Sequence, residues 1–291
     1  MLVTGATGFI GRSLCNEIHH QKIQVIATAR FAAQLSEGLK VRPMGTIDGE
    51  TAWTDALHDV DLVIHLAARV HVMHDTDIDP LTKFRVVNVD GTLNLARQAA
   101  ETGVQRFIFL SSIKVNGEQT LPGKHFIEQH KAAPQDLYAI SKWEAEQGLM
   151  EIAQKTRMEV VIIRPPLVYG PGVKANFLTM MRWLNKRIPL PLGAIHNHRS
   201  LVALDNLIDL IITCFDHPAA ANQVFLAGDG EDLSTTELLR RLGLAMGNPA
   251  CLLPIPVTFL QAGAALLGQQ NLAQRLCGSL QVDISKARNL L

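Results

Sequence analysis

The sequence predicts an α/β fold, in which a Rossmann-type doubly wound parallel sheet carries a smaller α/β C-terminal substrate-binding lobe. Between residues 2 and 163, short apolar runs alternate with segments of helix length. Several runs are apolar at consecutive positions, which is typical of strands covered by helices on both faces. A glycine-rich turn, Thr4 to Gly11, follows the first run directly. Such a turn between a strand and a helix is typical of dinucleotide-binding folds.

The predicted strands follow one another through the first half of the chain. They are residues 2–4, 24–28, 41–44, 62–66, 106–110 and 160–163, and a strand at 224–227 is expected to join the same sheet. The segment from Asp136 to Glu151 is predicted to be a helix. Ser234-Thr235-Thr236-Glu237 has the pattern of a capping box that opens another helix.

The lobe boundaries are predicted from proline and glycine, which are dense at residues 165–172 and 188–193. Residues 1–165 are expected to form the dinucleotide-binding domain, with its sheet completed by about 201–228. Residues 166–200 and 229–291 would form the substrate lobe. The apolar run at 255–267 is interrupted and shorter than the roughly 20 residues of a membrane span, so a buried helix is predicted there.

The composition excludes several classes of protein and of ligand. The chain has 27 basic and 27 acidic residues among 291, so no overall field would attract nucleic acid or an anionic membrane. The four cysteines are far apart, and no signal peptide precedes them, which predicts a reducing, cytoplasmic environment. Two histidine pairs, His71 with His74 and His196 with His198, lack a third ligand. We therefore predict no metal site.

The glycine-rich turn predicts a site for a dinucleotide. Gly5 permits a tight turn out of the first strand, Gly8 allows the backbone to approach a pyrophosphate, and Gly11 allows close packing of the next helix. The N-terminus of that helix would face the phosphates. Thr7, Phe9 and Ile10 complete the predicted cofactor loop.

The end of the second predicted strand bears on the choice of cofactor. Dinucleotide folds often carry an acidic residue there, which binds the adenosine ribose. This chain has Arg30 instead, and Arg12 lies in the first helix. A guanidinium favours a 2′-phosphate, so NADP(H) is slightly favoured over NAD, although Arg30 as an ordinary surface arginine is an equal alternative.

Tyr138 and Lys142 are the predicted centre of the chemistry. Spaced four apart in a predicted helix, they share one face. A free tyrosine has a pKa of about 10, and a nearby ammonium favours its phenolate. Ser112, after the fifth strand, would bond the same substrate oxygen, and Ser111 would lie nearer the nicotinamide. The alternative is an incidental packing pair, but together with the glycine turn the pattern predicts a nicotinamide-dependent enzyme acting on a hydroxyl or ketone.

Several motifs together resemble the extended short-chain dehydrogenase/reductase superfamily, in its nucleotide-sugar epimerase/dehydratase branch. They are the glycine turn, Val63 to Ala68, Asn88 to Leu95, Leu110-Ser111-Ser112, and Tyr138 with Lys142. The resemblance implies that Leu66, Ala67 and Ala68 pass beside the cofactor, that Asn88 supports the active-site helix, and that Pro165 or Pro166 touches the nicotinamide. It also implies that Asn176 and Arg199 contact the diphosphate of a UDP-sugar, although Asn176 as a loop-capping amide is an equal alternative. Two copies would form a dimer through the helices bearing Asn88 and Tyr138.

Departures from the family pattern concern the sugar pocket. Asn116 replaces a common tyrosine, Lys114 enters the substrate neighbourhood, and Leu167 replaces an amide that often reaches substrate. No acidic residue comes immediately after Ser112, where the resemblance implies an acid in sugar 4,6-dehydratases, and this argues against dehydration.

The resemblance implies chemistry at sugar C4 of a UDP-hexose or UDP-N-acetylhexosamine for polysaccharide biosynthesis. Arg30 favours reduction of a 4-keto sugar, because NADPH is the usual source of net reducing power. The alternatives are a redox-neutral 4-epimerase and, remotely, a non-catalytic redox sensor.

Overall fold

A computed structural model describes residues 1–35, 38–70, 79–173 and 175–291, except for the side chains of residues 175, 176 and 271. His71 and His74 lie outside the described residues. The strands are β1 (Leu2–Thr4), β2 (Ile26–Ala29), β3 (Ala33–Gln34), β4 (Lys40–Pro43), β5 (Leu62–His65), β6 (Arg106–Leu110), β7 (Glu159–Arg164), β8 (Leu167–Tyr169), β9 (Arg199–Ala203), β10 (Gln223–Leu226) and β11 (Asp232–Leu233).

Eight of these strands form one sheet, in the order β10-β7-β6-β5-β1-β2-β4-β3. Every pairing in it is parallel except that of β3 with β4. The order reverses between β1 and β5, which is the topological switch point of a doubly wound fold. The predicted fold class is confirmed.

The helices are α1 (Phe9–His20), α2 (Thr54–Leu57), α3 (Pro80–Arg85), α4 (Gly91–Glu101), α5 (Leu137–Lys155), α6 (Ala175–Asn185), α7 (Leu204–Thr213), α8 (Thr235–Ala245), α9 (Val257–Leu266), α10 (Gln270–Cys277) and α11 (Ser285–Leu290). A π-helical segment, Val86–Asp90, joins α3 to α4. One apolar cluster includes side chains of α1 and α7 on one face of the large sheet, and a second includes side chains of α2, α4 and α5 on the other.

The predicted strands of the large sheet are present, with ends that differ by one or two residues. The two-residue strand β3 was not predicted, because its exposed Ala33 and Gln34 carry no apolar signal. Helix α5 begins one residue after Asp136, whose carboxylate accepts a hydrogen bond from the Ala139 N–H. Ser234 caps α8 by accepting from the Glu237 N–H, as the capping-box pattern predicts.

The smaller lobe has a three-stranded sheet in the order β11-β9-β8. A third apolar cluster lies beside it, and its buried members include Phe177 and Leu184 of α6 and Leu239 of α8. The chain then returns to the large sheet, where the Lys286 ammonium of α11 donates to the Val224 carbonyl at 2.8 Å. The four cysteines form no disulfide. The cytoplasmic location stays a prediction.

Helix α9 differs from expectation. The apolar run at 255–267 was predicted to be a buried helix, but no residue of α9 is buried. The prediction was wrong because apolar composition does not show whether the rest of the chain covers a helix. No helix in the described part of the chain has both the length and the apolar character needed to cross a membrane.

Candidate active site

The glycine-rich turn joins β1 to α1 at the carboxyl edge of the large sheet. Gly5 has φ +70°, and a Cβ there would lie 2.8 Å from the Ala67 nitrogen. A Cβ on Gly11 would lie 2.3 Å from the Gly5 carbonyl oxygen. Helix α1 begins after Gly8 with no side chain capping its first N–H groups. Those donors are therefore available to an anion.

Asn88 connects the loop after β5 to helix α5. Its carboxamide oxygen accepts from the Arg69 N–H at 2.7 Å, and its amide nitrogen donates to the Arg69 carbonyl at 3.0 Å and to the Ser141 hydroxyl at 2.9 Å. Ser141 in turn donates to the Tyr138 carbonyl at 2.7 Å. Asn88 lies in the π-helical segment, and such irregular turns are frequent at functional sites. These bonds fix the turn of α5 that carries Tyr138 and Lys142.

Lys142 extends from α5 over β6. Its ammonium lies 3.9 Å from the centroid of the Phe109 ring, and the side chain is fully buried. Burial lowers the pKa of Lys142 to about 7, although the Glu146 carboxylate opposes the change. No described residue accepts a hydrogen bond from this ammonium, so its three donors are available to a ligand.

Tyr138 lies one helical turn before Lys142, at the N-terminal end of α5. Its half-buried ring packs edge-on against Phe84, with centroids 6.4 Å apart. Burial, and then the negative charge of Asp136, raise the pKa of Tyr138 above its ordinary value. The side chains of the protein alone therefore favour the protonated phenol, and the expected effect of an oxidised nicotinamide on the phenolate stays a prediction.

Two serines follow β6 and differ in their bonding. The Ser111 hydroxyl oxygen is buried and has no hydrogen-bond partner among the described residues. The Ser112 hydroxyl oxygen accepts from the Lys114 N–H at 3.3 Å, which leaves its own proton available. Unpaired buried hydroxyls are uncommon in folded proteins. Ser111 is therefore suited to contact a bound group.

Lys114 pairs with two acidic side chains. Its ammonium contacts the Asp136 carboxylate and Glu118, at 3.3 Å from the latter, and its contact with substrate stays a prediction. Asp136 is the N-cap of α5. Lys114 therefore holds the start of the helix that carries Tyr138, and its charge offsets that of Asp136.

The remaining predicted cofactor residues follow adjacent parallel strands. Arg30 follows β2, Leu66 to Ala68 follow β5, and Pro165 follows β7, where its carbonyl accepts from the Ile113 N–H. Since the carboxyl ends of parallel strands meet at one edge, these positions share that edge with the glycine turn. Arg30 is exposed and makes no ion pair with any described residue.

The predicted substrate residues of the smaller lobe belong to α6 and β9. Asn176 belongs to α6, and its side chain lies outside the described residues. Arg199 begins β9, where one guanidinium nitrogen donates to the Arg275 and Gly278 carbonyls, each at 3.0 Å. Burial lowers the pKa of Arg199. These two hydrogen bonds serve the fold, and the contact of Arg199 with a diphosphate stays a prediction.

His65 supports the site, a role that no sequence pattern indicates. Its two ring nitrogens bond the Thr4 hydroxyl at 2.8 Å and the Thr92 hydroxyl at 3.0 Å, and its ring stacks on Phe109. Burial and the charge of Lys142 lower the pKa of His65 to about 3. A neutral imidazole thus connects β1, β5 and α4 behind the aromatic ring that supports Lys142.

The histidines provide no evidence for a metal centre. His196 and His198 are exposed. In the described ranges, no group of three or more histidine, cysteine, aspartate or glutamate residues is arranged to hold a metal ion.

A model of the NAD dependent epimerase/dehydratase family matches residues 1–228. The chain belongs to this family. That range contains the glycine turn, Asn88, both serines, Tyr138 and Lys142. The matched range ends just after β10, before the chain enters the smaller lobe again at β11. The family assignment thus rests on the part of the molecule that contains the candidate site.

Individual relatives extend this family likeness over the whole chain. A UDP-glucose 4-epimerase of Vibrio cholerae is 48% identical over 293 residues, covering 100% of this chain and 89% of the relative. An N-acetyl-α-D-glucosaminyl-diphospho-ditrans,octacis-undecaprenol 4-epimerase of Escherichia coli O157:H7 is 28% identical, covering 89% and 77%. The crystal structure of a short-chain dehydrogenase/reductase superfamily protein from Agrobacterium tumefaciens with bound NAD has a TM-score of 0.79 at 20% identity, covering 100% and 90%. The last likeness shows the fold alone.

The residues of this family member fit a dinucleotide. The uncapped N-terminus of α1 suits a pyrophosphate, and Gly5 and Gly11 occupy places where a Cβ would collide with the backbone. The unpaired Ser111 hydroxyl and the Lys142 ammonium supply donors at the ends of β6 and α5. The site thus provides hydrogen-bond donors and a positive charge to a dinucleotide that carries phosphates and ribose hydroxyls.

Proposed function

We propose that the protein is a nucleotide-sugar 4-epimerase that inverts C4 of a UDP-hexose or UDP-N-acetylhexosamine for polysaccharide biosynthesis. The observation that carries the proposal is the Asn88–Ser141 bond, which fixes Tyr138 and Lys142 on one turn of α5 beside the predicted cofactor edge. The 48% identical Vibrio cholerae relative, named a UDP-glucose 4-epimerase, supports this reaction.

Each catalytic side chain has one role in the proposed reaction. Tyr138 takes the proton of the C4 hydroxyl and later returns it. Ser112 donates its free proton to the same oxygen, and the Lys142 ammonium bonds the ribose of the cofactor. Bound nicotinamide supplies a hydride acceptor and donor at C4.

The pKa values set a condition on this reaction. Tyr138 must ionise to remove a proton, yet burial and Asp136 raise its pKa. Lys142, with a pKa of about 7, is only partly charged at neutral pH. A phenolate and an ammonium stabilise each other, so ionisation of Tyr138 is coupled to protonation of Lys142.

Reduction of a 4-keto sugar is the second candidate. The sequence favoured it through Arg30, but the Vibrio cholerae relative moves our preference to epimerisation. An epimerase returns its hydride to the sugar and needs no net supply of NADPH. The exposed, unpaired Arg30 still supports a contact with a 2′-phosphate, and we propose that the site accepts NADP as well as NAD.

The experiment is incubation with UDP-glucose and, separately, UDP-N-acetylglucosamine. Sugar protons are followed by NMR while the absorbance of reduced nicotinamide is recorded. The proposal predicts formation of the 4-epimer at constant absorbance. Consumption of NADPH with a UDP-4-keto-6-deoxy sugar, and no epimer from either intact sugar, would assign the protein to the reductases.

We further propose that two copies pair through α4 and α5. A groove of about 390 Å³ lies between these helices, and its lining includes Leu93, Arg97, Glu101, Ile152 and Lys155. The groove carries both charge signs, so a two-fold copy could pair arginine or lysine with glutamate. Light scattering after gel filtration tests this, since a monomer at micromolar concentration would contradict it.

A further inference from the structure

The charges of this neutral chain are distributed unevenly. Residues 160–204 contain no aspartate or glutamate, and their basic residues are Arg164, Lys174, Arg182, Lys186, Arg187 and Arg199. Residues 242–274 contain no aspartate, glutamate, lysine or arginine. The overall balance of 27 charges of each sign therefore conceals one basic segment and one uncharged segment.

The basic and uncharged segments pack together in the smaller lobe. The Leu190 N–H donates to the Cys251 carbonyl at 2.9 Å, and the Leu253 N–H donates to the Leu190 carbonyl at 2.8 Å. The Arg187 guanidinium donates to the Asn248 side chain at 3.1 Å. Basic residues at the end of α6 thus lie beside the uncharged chain that leads into α9.

Helix α9 presents an apolar face outward. Val257 and Leu260 pack on the apolar cluster of the lobe, whereas Phe259 is 70% exposed and Leu266 is 89% exposed. Phe259 and Leu266 are seven residues apart, which places them on one side of the helix. Leu267, 77% exposed, begins the turn into α10. Helices α9 and α10 form a hairpin, and its tip therefore carries two uncovered leucine side chains, Leu266 and Leu267.

Other exposed apolar residues belong to segments of the smaller lobe that pair with, or lead into, the chain before α9. We define the α9 patch as Ile188, Leu244, Leu253, Phe259, Leu266 and Leu267, all of which are exposed. Lys186 and Arg187 directly precede Ile188 and are also exposed. Large apolar side chains exposed together on one lobe often mark a surface that binds something.

We propose that the α9 patch binds the surface of a bilayer that contains anionic phospholipid. The apolar side chains of α9 enter the boundary between headgroups and acyl chains, and Lys186 and Arg187 face the headgroups. An exposed apolar helix face beside basic residues is the combination that lies in a membrane interface.

Charge argues against a second copy of the chain as the occupant. Two copies meeting through this patch would bring Lys186 and Arg187 of each toward the other. Neither the basic segment nor the uncharged segment offers an acidic partner. Like charges brought together at an interface oppose binding. An anionic lipid surface supplies the missing negative charge.

Vesicle flotation tests the proposal with the full chain. Vesicles of phosphatidylethanolamine with phosphatidylglycerol are compared with vesicles of phosphatidylcholine alone. The wild type is expected to float with the anionic vesicles and to bind the neutral ones less. Leu266→Glu is expected to weaken binding by at least about tenfold, because it puts a charge where the tip enters lipid. Lys186→Gln with Arg187→Gln is expected to weaken binding roughly twentyfold.

Phe31→Glu is the matched control, since Phe31 is 73% exposed but follows β2 in the large lobe. It should bind vesicles as the wild type does. Thermal unfolding and activity on soluble UDP-sugar should stay unchanged in Leu266→Glu, which separates this proposal from the proposed catalytic function. Absence of flotation by the wild type, an equal loss in Phe31→Glu, or a smaller oligomer in Leu266→Glu by light scattering would overturn it.

Discussion

Two buried asparagines, one in each lobe, make the same number of hydrogen bonds with different consequences. Asn88 is 1% exposed and binds Arg69 and Ser141 in the large lobe. Asn197 is 6% exposed, donates to the Leu276 and Gly278 carbonyls, and accepts from the Thr235 N–H. Each side chain donates two hydrogen bonds and accepts one, so the two asparagines contribute the same number of polar contacts to their lobes.

The difference lies in what each asparagine connects. The bonds of Asn88 reach Ser141, which lies between Tyr138 and Lys142 on α5. The bonds of Asn197 join the ends of α8 and α10 near Arg199. Asn88 thus fixes the turn that carries the proposed catalytic pair, whereas Asn197 holds elements of the small lobe together. We expect chemistry to depend on the first lobe and substrate affinity on the second.

The largest effect is expected from the two tyrosines of the chain, one in each lobe. Tyr138→Phe removes the proposed acid and base and should lower turnover by roughly 10²–10⁴-fold. Tyr169→Phe removes one hydrogen bond to Asp229 at 2.9 Å and should change turnover only a few-fold. Steady-state kinetics with UDP-glucose gives both values. Similar turnover in the two variants would contradict the assignment of chemistry to the large lobe.

The next effect concerns Lys142 and stability. Its pKa is about 7 in the folded protein, against about 10.4 for a free lysine. The unfolded chain therefore binds more protons between these values, and this residue makes the protein more stable as pH rises through that range. Relative to Lys142→Met, the wild type should gain on the order of 2 kcal/mol in unfolding free energy between pH 7 and pH 9.

Urea denaturation at both pH values measures this gain. Lys155→Met is the matched control, because Lys155 lies on the same helix with an exposed ion pair to Glu151. Its pH dependence should equal that of the wild type. If the unfolding free energy rises no more in the wild type than in Lys142→Met between pH 7 and pH 9, the lowered pKa of a buried Lys142 is contradicted.

The asparagine pair provides a more direct comparison of the lobes. Asn88→Ala and Asn197→Ala should each destabilise the protein by about 2–3 kcal/mol, since each leaves buried partners unpaired. Asn88→Ala should also lower kcat by about 10–100-fold through displacement of α5. Asn197→Ala should act mainly on KM. Equal losses of kcat in both variants would contradict the assignment of chemistry to the large lobe and of substrate affinity to the small lobe.

The smallest effect is expected at Lys114. Lys114→Met removes a positive charge that pairs with Asp136 near Tyr138, so the pH at which activity rises should move upward and kcat at neutral pH should fall several-fold. Lys114→Arg should restore the profile. A large rise in KM with an unchanged pH profile would instead support the sequence-based assignment of Lys114 to substrate.

The large sheet could be predicted from the sequence because its strands are continuous apolar runs covered on both faces. The strands of the smaller lobe could not be predicted in this way. Strands β8, β9 and β11 have two to five residues and pair across long stretches of chain. The exposure of α9 was also missed, since an apolar helix has the same composition whether or not another element covers it.

The site was predictable where chemistry requires particular residue types at fixed spacing, as in the glycine turn and in Tyr138 with Lys142. It was not predictable where contacts depend on the finished fold. Phe109 beneath Lys142 and the ion pair of Lys114 with Asp136 belong to this second group. The unpaired Ser111 hydroxyl could be recognised only once its surroundings were known.

In the proposed epimerisation, hydride leaves and returns to the same carbon within the site of Tyr138 and Lys142. The sharpest test is UDP-glucose carrying deuterium at C4, with the product analysed by NMR and mass spectrometry. We expect a 4-epimer that keeps deuterium at C4, with no transfer to added NAD or NADP. Product with hydrogen at C4, or deuterium accumulating in free reduced cofactor, would contradict it.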